Sequence, residues 1–106
     1  MRYNSLCYNV ADMILVDDIR RYSTGPRGWL YWCHMASDDL TEQGLEQLHL
    51  MAVAIGLRRE WFQDHPRHPH YDLPPEKREL AIAAGAVPVS SRELVLRCSR
   101  RPLTRG

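Results

Sequence analysis

This chain has little of what usually assigns a protein at a glance. No apolar run approaches the ~20 residues of a membrane-spanning helix, and Met1 to Cys7 carries no apolar core of a secretion signal. Those absences predict a cytoplasmic protein, or a phage protein made in the cytoplasm, with no membrane partner. Charge is scarce in the net: 14 basic residues stand against 13 acidic ones, so bulk electrostatics draws the chain neither to nucleic acid nor to a lipid surface. Cysteines 7, 33 and 98 are odd in number and lack C-x-x-C spacing, which excludes a disulfide framework and a cysteine-rich zinc knuckle. Lysine is almost missing. Lys77 is alone among 14 basic residues, so this one ammonium stands out against an arginine background.

What remains is a 106-residue chain, 44% apolar, which suffices for one modest core and leaves no room for a second domain. We read residues 1–12 as an N-terminal extension, 13–97 as a single α/β domain and 98–106 as a basic C-terminal tail. Met13 to Asp18 is a β-branched run ending in two carboxylates, which predicts a buried strand with acids at its end. Trp29 to Met35 predicts a second strand, and Arg58 to Phe62 a third. Ser37 to Thr41 offers several N-cap candidates for a helix carrying Leu45, Leu48, Ala52 and Ile55 at helical spacing, stopped by Gly56. A shorter helix spans Pro75 to Ala84, Val87 to Val89 is an edge strand, and Ser90 to Glu93 fits a capping box opening a last helix. Alternation of strands and helices predicts a two-layer or three-layer α/β sandwich with a short mixed or parallel sheet of three or four strands and two or three helices.

Residues 61–78 hold the richest chemistry: three histidines, two aspartates and Lys77 among prolines 66, 69, 74 and 75. Proline excludes the helical chelate of two histidines, but in an extended chain His68 and His70 project to one side about 6 to 7 Å apart. With Asp18 they form a candidate site for a divalent metal, zinc or magnesium. Lys77 and Arg78 fall in the first turn of a helix, where the macrodipole disfavours cations, so an anion bound there would explain them. The expected mechanism has Lys77 and Arg78 holding a phosphate and His70 acting as general acid/base. Asp72 or Asp17 then orients His70 or holds the ion. His34, Tyr71 and Gln63 complete the expected pocket. The function predicted is binding, and hydrolysis or transfer, of a phosphate-bearing small molecule or nucleotide. The competing class is a non-enzymatic interaction module for protein or nucleic acid, in a phage setting a modulator of a host system. Its nucleic-acid contacts would come from Arg97, Arg100, Arg101 and Arg105.

Val16-Asp17-Asp18, Cys33-His34-Met35, Leu48-His49 with Ile55-Gly56, Trp61-Phe62-Gln63, His70-Tyr71-Asp72, Lys77-Arg78 and Ala84-Gly85-Ala86 together resemble the bacterial and phage family called domain of unknown function 4031. The resemblance covers roughly residues 13 to 96. It implies kinship and no activity. One position departs from it: a Thr or Ser is expected to cap the helix before Lys77, and this chain has Pro74.

Overall fold

The computed structural model describes residues 13–23 and 25–100. The N-terminal extension and residues 101–106 of the expected tail lie outside them. Five strands and three α-helices are present: β1 (Ile14–Val16), β2 (Arg20–Arg21), β3 (Tyr31–Ser37), α1 (Glu42–Ala54), β4 (Tyr71–Leu73), α2 (Pro75–Ala83), β5 (Val87–Pro88) and α3 (Ser91–Arg97). The sheet is mixed, as the alternating pattern predicts, with one strand more than expected. Strand β3 is its hub: β1, β2 and β4 pair with it antiparallel, and β5 joins β1 in parallel.

Strand alternation divides the core in two. On one face Val16, Cys33, Met35, Tyr71 and Leu73 pack under α1 and α2 through Leu48, Ala52, Ile55 and Ala81. On the other, Leu15 and Ala36 meet Leu94 and Cys98 of the short α3. Three layers result.

Local chemistry sets the helix ends. Thr41 caps α1 by accepting from Gly44 N–H, and Ser90 caps α3 by accepting from Glu93 N–H. Pro74 caps α2 with no side-chain hydrogen bond, as its missing oxygen dictates; its carbonyl instead accepts from Lys77 and Arg78 N–H. Gly56 closes α1 at φ +91°, a conformation glycine enters without a Cβ penalty.

Two sequence expectations are corrected. Arg59–Trp61 forms a 3₁₀ turn rather than a strand. There the Arg27 guanidinium lies 4.2 Å from the Trp61 ring centre and 4.4 Å from that of Trp29, an aromatic packing that needs no sheet partner. Conversely, the end of the His/Pro segment is strand β4, because Tyr71 and Leu73 find an apolar face to fill. Past α3, Cys98 is buried, and Arg100 bonds through its backbone N–H to Arg67 O and through Nη1 to Pro66 O.

Candidate functional site

The three strands that meet in mid-sheet carry one ionisable row. Asp17 N–H donates to His34 O, and His34 lies directly opposite Asp72 in the β3/β4 ladder, so Asp17, His34 and Asp72 stand side by side. His70 precedes Asp72 by two residues and shares its face; an antiparallel bridge to Gln63 sets it there. All point to the face that α3 covers only in part. The register between β1 and β2 slips near this row: Val16 faces Met35 and Arg20 faces Trp32, leaving Asp18 and Ile19 against the single Cys33. A bulge of this kind ends the regular ladder just past Asp17.

Each carboxylate has a distinct environment. Asp17 is buried; Oδ1 accepts His34 N–H at 2.7 Å, while Oδ2 accepts the His34 Nδ1–H at 2.9 Å and Ser91 Oγ–H at 3.0 Å. Burial pushes its pKa up, but the bonds from His34 and Ser91 outweigh burial and hold the carboxyl below its ordinary value. Asp72 is 6% exposed, and Oδ2 takes a long 3.5 Å bond from the Gln63 amide. Its Oδ1 is buried with no hydrogen bond. His70 Nε2 lies 3.3 Å from that oxygen, an ion-pair distance without hydrogen-bond alignment. An orphaned carboxylate oxygen costs about 1–3 kcal/mol or more unless something else meets it.

The two imidazoles are fixed in the same sense. His34 Nδ1 must carry a proton, because the ionised Asp17 only accepts. His70 Nδ1 must carry one too, because its partner at 2.6 Å is the His68 carbonyl. Both rings therefore keep Nε2 for the site. The rings stand 5.2 Å apart edge to face, and one donor atom each from His34, His70 and Asp72 lies within 4.8 Å of the others. Two imidazoles and a carboxylate are a set that could hold a divalent transition metal, with Asp17, the His68 carbonyl and Gln63 as the outer groups that would orient it. Burial opposes charge on His70, yet Asp72, the His68 carbonyl and the field of Asp17 raise its pKa above the usual imidazole value.

A cavity of about 250 Å³ opens beside this row, between the His/Pro loop and α3. His34, His70, His68 and His65 line one side; Leu94, Val95, Cys98 and Ser99 line the other. His68 Nδ1 meets Ser99 Oγ at 2.7 Å and ties the loop to the end of α3. Burial and the neighbouring His65, Arg67 and His70 lower the His68 pKa. Cys98 is an inert wall here, its thiol pushed by burial up to about 12.

Family-model comparison decides the kinship. The model of DUF4031, described as a protein of unknown function, matches residues 14–101. The chain belongs to the DUF4031 family. No curated protein and no solved structure matches it.

Within this DUF4031 chain the predicted site residues divide. Asp17, His34, His70, Asp72 and Gln63 come together. Lys77 does not join them: Nζ donates to Ile55 O at 2.8 Å, capping the C-terminal end of α1 on the other face of the sheet. Arg78 Nε donates to Asp17 O at 2.7 Å, so it braces the bulge from behind. The two cations that break the helix-dipole rule are thus explained by carbonyl partners. Asp18 is exposed and lies 3.9 Å from Arg78, outside the donor set, as does His68. Tyr71 faces away, its hydroxyl 2.9 Å from His49 Nδ1 in the α1 core, because it alternates with His70 and Asp72. His34 was expected as a wall and is placed as a donor; the Trp32-Cys33-His34-Met35 alternation carried that signal. Ser91 and Ser99, which fix Asp17 and His68, had no signal beyond the cap preceding α3.

Proposed function

We propose that this protein binds a divalent transition-metal ion through His34, His70 and Asp72 and uses it for hydrolytic chemistry on a small molecule in the adjoining cavity. The buried Asp72 Oδ1, without a hydrogen bond and 3.3 Å from His70 Nε2, in a group whose three donor atoms lie within 4.8 Å of one another, carries this reading. A purely structural polar row would end with its acceptors paired. The donor set is three-sided, and His34 and His70 retain 30% and 21% side-chain exposure, so positions remain for water or substrate. A bound ion there supplies Lewis acidity toward a carbonyl or phosphoryl oxygen. The protein's own groups fix the tautomers, through Asp17 and the His68 carbonyl.

Phosphate binding stands on weaker ground than the sequence predicts, since Lys77 and Arg78 are spent on carbonyls. We place the protein in the cytoplasm on the ground that Cys33 and Cys98, among the described residues, are free thiols. Among the described residues no helix is long and apolar enough to cross a membrane.

Calorimetric titration of metal-free protein with zinc, cobalt and manganese tests the site. One ion per chain is expected. Asp72→Asn and His70→Ala should each weaken binding by more than the ~10–100-fold typical of an outer-shell partner. Equal affinities for wild type and both variants would end the proposal.

A further inference from the structure

The same cavity carries information about what it accepts. Apart from its histidines and Ser99, its lining is apolar: Ala36, Pro69, Leu94, Val95 and Cys98. Among the described residues no Lys, Arg, Asp or Glu lines it. Of the described cations near it, Arg100 engages Pro66 O and Arg97 engages Asp38 and Glu93, while Arg67 stands exposed beside His68. A phosphate monoester or nucleotide brings two or more negative charges, and the described lining itself offers no cationic Lys or Arg to meet them. At about 250 Å³ the space is also below the ~300–1,000 Å³ that encloses drug-sized ligands.

Resting on the metal reading above, we infer that the site takes a small, predominantly apolar carboxylic acid derivative. Its one oxygen-bearing group meets the ion held by His34, His70 and Asp72, and its hydrocarbon part lies between Pro69 and the Leu94–Val95 side of α3. Burial then supplies affinity through methylenes rather than charge. His65 and His68 at the cavity's edge offer ring nitrogens suited to one polar atom.

Cobalt-loaded protein provides the test, because its visible spectrum reports the ion and any group that joins it. Acetate, butyrate, benzoate, inorganic phosphate and AMP are titrated separately. Butyrate should bind about tenfold tighter than acetate, the effect of two buried methylenes. Phosphate and AMP should perturb the spectrum more weakly than butyrate or benzoate. Val95→Trp, which fills the cavity from a half-exposed position, should keep the cobalt spectrum and lose the butyrate response.

A normal cobalt spectrum that phosphate or AMP perturbs as strongly as butyrate would overturn the substrate class alone. So would equal butyrate responses from wild type and Val95→Trp. Absence of any cobalt spectrum would overturn the metal reading, and this inference with it.

Discussion

The two faces of the sheet are made from the same strands and do opposite work. Toward α1 and α2 the side chains are apolar and fully buried, and even the polar pair His49 and Tyr71 is satisfied internally. Toward α3 the strands present Asp17, His34 and Asp72, and a seven-residue helix covers the sheet incompletely. On the first face free energy goes into burial. On the second, a charged row is held in place by neighbours that leave one acceptor unmatched. Because strand neighbours alternate, residues 34 and 35 belong to different faces, and changing one or the other should have unrelated consequences.

That contrast is sharpest at Met35, which is wholly buried. Met35→Ala should cost about 2–5 kcal/mol of stability in chemical denaturation, with metal affinity of the folded fraction unaltered. Its neighbour reverses the pattern. His34→Ala should keep the fold within about 1 kcal/mol but raise the zinc dissociation constant by ~100-fold or more, equivalent to about 2.7 kcal/mol. If His34→Ala unfolds the protein or Met35→Ala abolishes binding, the faces are not separable.

Asp17 lies between these extremes, since it is buried yet serves the site. Asp17→Asn should weaken zinc binding ~10–100-fold, because the amide can orient His34 but no longer polarises it. It should also change acid stability. A carboxyl held below its ordinary value stabilises the fold above the unfolded pKa of about 3.9, and that contribution fades as pH falls through the lower folded value. Denaturation midpoints between pH 2 and 6 should therefore fall more steeply for wild type than for Asp17→Asn. His70 has the opposite sign: its raised pKa stabilises the metal-free fold fully below about 6.5, and this is lost as pH rises through the folded value. The smallest effect belongs to Lys77. Lys77→Met removes one bond to Ile55 O and should cost about 1 kcal/mol without touching metal affinity.

Much of this was legible in the sequence where a local rule fixes it. Helix ends at Thr41, Gly56 and Ser90 follow from side-chain oxygens and a glycine, and α/β layering follows from alternation of periods. The His/Pro segment drew notice because ionisable groups were crowded there. Tertiary pairing was not legible. Whether Tyr71 or His70 faces the site depends on the register of β4 against β3, and nothing within residues 61–78 fixes that phase. Lys77 illustrates the same limit. A cation in a first helical turn signals a partner, but sequence cannot say whether the partner is a phosphate or the carbonyl of Ile55, 22 residues earlier. Likewise His34 gained its role from Asp17, which reaches it only across the sheet.

The Ser91–Asp17 bond spans 74 residues, and it has a consequence for synthesis. Strand β1 leaves the ribosome before its parallel neighbour β5, and Asp17 leaves 74 residues before the serine that clamps it. At ~5–20 residues per second this wait lasts several seconds. During it His34, His70 and Asp72 can already be present while Asp17 is unclamped and no α3 wall exists. Closing loops of that length is slow, so the half-covered face is the last part of the domain to be completed. A nascent chain stopped at Pro88 would show the histidines to any passing ion, yet could not grip it in the finished geometry.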